Sequence, residues 1–176
     1  MSDDERYLRA LELATRMHQG QKRTGGADYI THPIAVANIL KEKGYGIDYQ
    51  IAGLFHDLLE DTTAKESDIE DIGGAEVLKV VKLLSKQRGY NMDEYVRGIK
   101  SNKMACAVKG ADRLHNLRCA VVCDDDFKRR YVLETLDYYL DLDEQIPQAV
   151  RELAESMSEP LYDLPLTYEK INASEE

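Results

Sequence analysis

Apolar residues recur along this chain at intervals of three and four, which is the spacing of an amphipathic helix. The first stretch of this kind begins around Leu8 and ends near Gly20. A polar loop over residues 20–28 follows. A second helix is predicted from Pro33 to about Lys43, because proline suits the first turn of a helix. The pattern therefore opens with two helices joined by a glycine-containing loop.

The third predicted helix is the most apolar one and runs from Tyr49 to about Glu60, with Asp48 as its cap. Apolar residues on most of its sides indicate that it lies at the centre of the fold. A capping-box pattern from Ser67 to Glu70 predicts a short helix that ends at the two glycines that follow. The remaining predicted helices cover residues 75–84, 92–100, 104–123, 127–146 and 147–157.

No segment alternates apolar and polar residues over a useful length, so the periodicity predicts an all-α protein. The 176 residues are enough for one domain with a real core and too few for two comfortable ones. We expect a single helical domain over residues 1–159, followed by an irregular C-terminal arm and tail over residues 160–176.

The charge balance restricts the class of partner. The chain carries 33 acidic and 23 basic residues, which gives a formal net charge of −10. A sequence-independent nucleic-acid binder needs a basic face to neutralise phosphates, so this balance argues against nucleic acid as a partner. A small anionic substrate stays compatible, because a bound divalent cation and a few local bases reverse the potential inside one cleft.

The cellular compartment is indicated by three features. No apolar run approaches the roughly 20 residues that cross a bilayer, and the acidic N-terminus lacks the layout of a secretory signal. The three cysteines form no CxxC pair, and an odd number suits a reducing compartment better than a disulfide scaffold. These features predict a cytoplasmic protein without a membrane partner. The sequence carries no indication of an oligomeric state.

Ionisable side chains converge at the C-terminal end of the third predicted helix. His56 and Asp57 are followed one turn later by Glu60 and Asp61, so two pairs of residues lie four apart on one helix surface. Carboxylates at a helix C-terminus oppose the macrodipole, and a bound cation would remove that conflict. The pattern leaves open a metal site and an exposed helix end with an acidic last turn.

Further candidates lie in two other predicted helices. His32 precedes the second helix as a cap residue, where a lone histidine is more often structural than a ligand. Asp112 and Asn116 lie four residues apart in the helix predicted over residues 104–123. With the histidine and aspartate of the first cluster, these residues supply two imidazoles and two carboxylates. That mixed set suits Mn²⁺, Fe²⁺ or Zn²⁺ and leaves positions for water and a substrate.

Four segments of the chain form a recognisable set: ATRMHQGQ (residues 14–21), YITHP (29–33), LFHDLLEDT (54–62) and VKGADRLHNLR (108–118). In order and spacing they resemble the HD superfamily of metal-dependent phosphohydrolases. The match is closest to the hydrolase domain of Rel/SpoT-type enzymes and to the small alarmone hydrolases. The most specific part is HDxxED followed by ADRLHN. This resemblance implies that residues 1–159 form a single HD-domain helical bundle.

The resemblance implies a metal centre and an acidic pair. Mn²⁺ is the family's usual ion, and another divalent transition metal is the alternative. Glu60 and Asp61 match the pair that positions and deprotonates the attacking water. The implied metal ligands are His32, His56, Asp57 and Asp112.

The resemblance also implies a nucleotide substrate. Asn116 matches a residue near the sugar and phosphates, while Arg23 and Tyr29 fall in the substrate-facing loop, with Arg23 as the candidate to stack on a guanine base. The implied reaction removes the 3′-pyrophosphate of guanosine tetra- or pentaphosphate and yields GDP or GTP and pyrophosphate.

The substrate-facing loop departs from the family pattern. Thr24 replaces a lysine and Asp28 replaces a proline, so the loop has less positive charge and less rigidity. Two alternatives therefore stay open, a phosphohydrolase of the same fold that acts on another nucleotide and a nucleotide-binding sensor without turnover. All the implied ligands and both acids are intact, which argues against the sensor.

Overall fold

The computed structural model describes residues 1–159, in which the regular secondary structure is helical apart from one isolated β-bridge between Lys22 and Asp28. The all-α prediction is confirmed. Among these residues no helix has both the length and the apolar character needed to cross a membrane. The arm predicted over residues 160–176 lies outside the described residues.

The chain divides into two compact units, of which the first ends at Asp112 and the second begins at Arg113. The single domain expected over residues 1–159 stays a prediction. The first unit contains α1 (Asp3–Met17), α2 (Thr31–Glu42), α3 (Ile47–Phe55), α4 (Leu58–Asp61), α5 (Glu66–Gly73), α6 (Ala75–Leu84), α7 (Met92–Lys100) and the first part of α8 (Lys103–Cys119). The second contains the rest of α8, a 3₁₀-helix (Ala120–Val122), α9 (Asp125–Glu134), a π-helical turn (Thr135–Tyr139) and α10 (Ile146–Glu155).

Helices α2 and α3 pack closely in the core of the first unit. A Cβ atom at Gly53 would lie 3.0 Å from Cδ1 of Leu40 and 3.3 Å from Cα of Ala37, so a larger residue would force the two helices apart. This close approach brings the first turn of α2 near the end of α3, where the rings of His32 and His56 lie 5.2 Å apart.

The prediction of one continuous helix from Tyr49 to Glu60 is wrong. Helix α3 ends at Phe55, and α4 is a separate single turn. The physical reason is a local hydrogen bond, in which Nδ1 of His56 donates to the carbonyl oxygen of Gly53 at 2.6 Å. That carbonyl is the one to which the amide of Asp57 would donate in a continuous helix. His56 and Asp57 therefore form a turn between α3 and α4, with backbone angles that stay in the right-handed helical region.

Two predicted caps in the first unit are also wrong. Asp48 lies in the first turn of α3, where its carboxylate pairs with Arg6 at 2.9 Å instead of capping the helix. The capping box expected at Ser67 is displaced by two residues, since the carboxylate of Asp68 accepts from the amide of Lys65 at 2.9 Å. Short polar side chains compete for the same orphan amides, and the sequence pattern does not decide which one succeeds.

In the second unit the helices are shorter than their periodicity predicts. The helix expected over residues 104–123 ends at Cys119 and continues as the 3₁₀-helix. Helix α9 begins at Asp125, and the carboxylate of Asp124 caps it by accepting from the amide of Phe127 at 2.8 Å. The helix expected over residues 127–146 gives way to the π-helical turn after Glu134.

Arg113 is a buried cation at the core of the second unit. Its guanidinium carbon lies 4.1 Å from the ring centre of Tyr131 and 4.4 Å from that of Tyr139. One of its nitrogens donates to Glu134 at 2.6 Å. Two cation–π contacts and an ion pair offset the cost of burying the charge. This basic residue of the ADRLHN segment therefore packs the end of α8 against α9 and the π-helical turn.

Candidate metal centre

Three elements of the first unit bring the predicted ligands together. His32 lies in the first turn of α2, His56 and Asp57 form the turn between α3 and α4, and Asp112 lies in α8. Nε2 of His32 lies 2.8 Å from Oδ1 of Asp112. Nε2 of His56 lies 3.0 Å from Oδ2 of Asp57 and 3.4 Å from Oδ1 of Asp112. The two imidazoles and two carboxylates therefore form one compact cluster.

The position of His32 differs from the cap that the sequence predicts. Thr31 begins α2, so His32 is already within the helix and its side chain is almost fully buried. Burial lowers the pKa of His32, which leaves the imidazole neutral near pH 7 and able to bind a cation through a ring nitrogen.

The protonation of His56 is set by its hydrogen bonds. Its Nδ1 donates to the Gly53 carbonyl, so the neutral ring keeps its lone pair on Nε2. Among the described residues, that buried Nε2 makes no hydrogen bond of good geometry, although two carboxylates lie within 3.4 Å of it. Burial alone would lower the pKa of His56, but the charges of Asp57 and Asp112 outweigh it and raise that pKa well above its usual value. The two carboxylates therefore favour a positive charge at Nε2 of His56, and either a proton or a metal cation can supply it.

The two candidate ligand carboxylates, Asp57 and Asp112, both have lowered pKa values. Burial would raise the pKa of Asp57, but the charge of His56 overrides it and lowers that pKa to about 2. Burial also opposes ionisation of Asp112, yet Lys109 and the two histidines hold its pKa well below the usual range. Nζ of Lys109 lies 3.2 Å from Oδ2 of Asp112. The sequence places this lysine three residues before the aspartate, a helical spacing from which the pair can be predicted.

The acidic pair lies beside the cluster on α4. Asp57, Glu60 and Asp61 each offer a carboxylate oxygen, and the three atoms lie within 4.8 Å of one another. Partial burial and the charges of Asp57 and Glu60 raise the pKa of Asp61 to about 6. The carboxylate of Glu60 accepts a hydrogen bond from the main-chain amide of Lys86 at 2.6 Å. Sequence patterns carry no signal for that contact, since it joins residues 26 positions apart through a main-chain atom.

The predicted substrate-facing loop is closed by the β-bridge between Lys22 and Asp28 and by an ion pair between their side chains. The hydroxyl of Tyr29 donates to Oδ2 of Asp57 at 2.6 Å, a contact that the sequence did not reveal. The guanidinium carbon of Arg23 lies 5.9 Å from the ring centre of Tyr29. Tyr29 thus links the loop directly to a candidate ligand.

Asn116 belongs to the second unit, and its role as a substrate contact stays a prediction. The two histidines outside the cluster make local contacts with residues of their own segments. Nδ1 of His18 lies 2.8 Å from Oε1 of Gln21, and Nε2 of His115 lies 3.5 Å from Sγ of Cys119.

The fold and the cluster of two histidines and two aspartates define a helical domain of the HD type. A family model described as an HD domain matches residues 10–146, and the chain belongs to this family. The predicted membership is confirmed. In this family two imidazoles and two carboxylates are a fitting set of ligands for a divalent metal, which the buried Nε2 of His56 also favours.

Several relatives carry names that concern guanosine nucleotides. The bifunctional (p)ppGpp synthase/hydrolase SpoT of Escherichia coli (strain K12) is 34% identical over 146 residues, which are 77% of this chain and 21% of that protein. The GTP pyrophosphokinase rsh of Brucella melitensis is 32% identical over 171 residues, which are 91% of this chain and 22% of that protein. The chain thus spans about a fifth of the length of these relatives.

A solved structure with the same fold comes from a metazoan ortholog of SpoT, described as hydrolysing ppGpp and having a role in starvation responses. It matches with a TM-score of 0.69 and 23% sequence identity, covering 85% of this chain and 94% of that chain. At this identity the likeness shows the fold alone. The expected HD-domain architecture is confirmed.

Proposed function

We propose that this protein is a divalent-metal-dependent pyrophosphohydrolase that acts on guanosine 3′,5′-bis(diphosphate). The proposed products are GDP, or GTP from the pentaphosphate, and pyrophosphate. The observation that carries the proposal is the buried Nε2 of His56, which faces the carboxylates of Asp57 and Asp112. The names of the relatives, two of which are pyrophosphohydrolases of this nucleotide, support the choice of substrate.

The four proposed ligands fit a divalent metal, and we assign Mn²⁺ or another divalent transition metal to them. When bound, such an ion lowers the pKa of a water ligand and neutralises charge on phosphoryl oxygens. The protein holds the donors in place by neighbouring contacts. The carbonyl of Gly53 orients His56, the hydroxyl of Tyr29 orients Asp57, and Lys109 orients Asp112. Ligands held by such outer contacts bind metals more tightly and in a defined geometry.

Glu60 and Asp61 are proposed to orient the attacking water and to accept its proton. A pKa of about 6 lies close to neutral pH, which suits Asp61 to taking up a proton and releasing it again. The amide of Lys86 holds the carboxylate of Glu60 in place by donating a hydrogen bond to it. As the water oxygen bonds to the 3′-diphosphate, the bond to the ribose 3′-oxygen breaks, and that oxygen takes up a proton.

Arg23, Tyr29 and Asn116 are proposed to contact the nucleotide. Arg23 is partly exposed on the loop that leads to Tyr29, and a planar guanidinium is suited to stacking on a guanine base. We also propose a cytoplasmic location, because the three cysteines are free thiols.

A second candidate function is hydrolysis of another nucleotide by the same machinery. The observation that favours it is the ion pair between Lys22 and Asp28, which neutralises a cation in the loop proposed to face the substrate. A loop with less free positive charge suits a substrate with fewer phosphates.

The experiment that tests the proposed function is turnover of a nucleotide panel by the purified protein with Mn²⁺. We expect guanosine 3′,5′-bis(diphosphate) to give GDP and pyrophosphate in equal amounts, resolved by anion-exchange chromatography. Turnover confined to other nucleotides would favour the second candidate. Binding of nucleotide without turnover of any member of the panel would favour the sensor.

Replacing Lys86 with proline is expected to lower kcat roughly tenfold or more, because hydrogen bonds to charged groups contribute about 1.5–3 kcal/mol. The variant removes the amide that Glu60 accepts from, and the extended backbone of Ser85 is compatible with a following proline. The matched control is Lys86→Ala, which keeps the amide and should retain kcat. Steady-state kinetics distinguish the two, and equal losses in both variants would refute a role for this amide.

A further inference from the structure

Helix α4 carries both proposed catalytic carboxylates but is too short to hold itself. It contains four residues, and a single isolated turn is not stable in water. Within the segment, the amide of Asp61 donates to the carbonyl of Asp57 at 2.9 Å, and the amide of Thr62 donates to that of Leu58 at 3.1 Å. The carbonyls at the end of a helix need partners from outside it.

Gln21 supplies such a partner from the loop after α1. Its Nε2 donates to the main-chain carbonyl oxygen of Asp61 at 2.8 Å, across 40 positions of sequence. This hydrogen bond anchors the last residue of α4, which is the residue whose side chain is proposed to take the proton. Since a carbonyl oxygen only accepts, the side-chain amide of Gln21 must present its nitrogen to Asp61.

His18 fixes this orientation of Gln21. With Nε2 directed to Asp61, the side-chain oxygen of Gln21 faces Nδ1 of His18 at 2.8 Å and accepts a hydrogen bond from it. His18 is 2% exposed, and its ring lies 4.9 Å from that of Tyr29, which donates to the candidate ligand Asp57. The buried ring is therefore held against the same loop that reaches the metal centre.

We infer that Gln21 is a positioning residue for the reaction, oriented by His18, which acts by holding α4 so that the carboxylate of Asp61 faces the cluster. The inference rests on the proposed function. The side-chain hydrogen bonds of Gln21 reach neither a proposed metal ligand nor a proposed nucleotide contact. Its main-chain carbonyl accepts from the amide of Tyr29, and a side-chain substitution keeps that bond. Its loss should therefore change kcat, with KM and the affinity for Mn²⁺ unchanged.

The test compares Gln21→Leu with Gln19→Leu, a matched change at an exposed glutamine on the same segment. We expect Gln21→Leu to lower kcat roughly 10–100-fold, because displacing a catalytic group by about 1 Å can cost about a hundredfold in rate. KM and Mn²⁺ affinity should stay within about twofold, a change in free energy smaller than one hydrogen bond contributes. Gln19→Leu should match the wild type. Equal kcat in the two variants would overturn the inference, and so would a parallel loss of Mn²⁺ affinity.

A second pair of variants tests His18. In His18→Asn the side-chain nitrogen takes the place of Nδ1 and can still donate to Gln21, so this variant should retain more kcat than His18→Leu. Melting temperatures measured alongside separate this effect from unfolding. If His18→Asn loses as much kcat as His18→Leu at equal stability, the orientation by His18 is refuted.

Amide hydrogen exchange gives a readout that needs no substrate. Gln21→Leu should speed exchange at Asp61 and Thr62 roughly tenfold, as expected from one lost hydrogen bond, while exchange in α6 stays unchanged. If the wild type hydrolyses no guanosine 3′,5′-bis(diphosphate), the proposed function fails, and kcat is then compared on whichever nucleotide of the panel is hydrolysed. Unchanged exchange at Asp61 and Thr62 would overturn the inference whatever the substrate.

Discussion

Replacing His56 with alanine is expected to abolish tight binding of Mn²⁺ and to lower kcat/KM by more than about a hundredfold. Mutation of a residue that only supports a metal ligand already lowers metal affinity or activity about 10–100-fold. The physical reason is the position of Nε2, which lies within 3.4 Å of two ionised carboxylates. Without that imidazole, His32 is the one proposed nitrogen ligand left beside the carboxylates of Asp57 and Asp112. Isothermal titration calorimetry with Mn²⁺ measures the loss directly.

The control for this variant is His115→Ala, which removes a histidine that contacts Cys119 in the second unit. We expect His115→Ala to keep the Mn²⁺ affinity of the wild type. Melting temperatures of both variants show whether each protein is folded at the temperature of the titration. Wild-type Mn²⁺ affinity in folded His56→Ala would contradict the proposed ligand set.

The second large effect is expected from the acidic pair. The isosteric double variant with Glu60→Gln and Asp61→Asn should lower kcat about 10²–10⁴-fold, the range for loss of a general base. Because neither residue is a proposed ligand, the affinity for Mn²⁺ should change little. Steady-state kinetics and a Mn²⁺ titration on the same preparation separate the two roles.

The matched control is Glu70→Gln, which neutralises an exposed acid on α5 and should leave kcat unchanged. The contradicting outcome is a double variant that loses both Mn²⁺ binding and activity. That result would mean that the metal lies among Asp57, Glu60 and Asp61, whose oxygens also lie within 4.8 Å of one another.

Much of the helical structure follows from the sequence because burial of an apolar face imposes a period of about 3.6 residues. The helices predicted over residues 75–84 and 92–100 match α6 and α7 at both ends. The break after Phe55 could not be predicted in this way. It depends on the bond from the His56 ring to a main-chain carbonyl, and periodicity carries no information on such a bond.

The residues of the candidate site were predictable from motif and spacing, whereas the contacts that hold them were not. His56, Asp57 and Asp112 are marked by their residue types and by the resemblance. Gln21 donates to a main-chain carbonyl 40 positions away, and Lys86 donates its own main-chain amide to a carboxylate 26 positions away, so no local pattern indicates either contact. Residues that recognise a main-chain group leave no complementary side chain in the sequence to reveal the pair.

Arg113 shows the same limit for a charged side chain. Its neighbours in sequence suggest a base near phosphates, but its guanidinium lies between the rings of Tyr131 and Tyr139. Tyr131 and Tyr139 follow Arg113 by 18 and 26 positions. The path of the chain after α8 brings their rings to the guanidinium. Only tertiary structure distinguishes a buried cation of this kind from a ligand for an anion.

The most direct test of the metal centre is anomalous scattering from crystals of the protein grown with Mn²⁺. We predict one strong peak enclosed by His32, His56, Asp57 and Asp112, with Glu60 and Asp61 outside the first coordination sphere. A peak bound only by Asp57, Glu60 and Asp61, or no peak at either cluster at saturating Mn²⁺, would contradict the account.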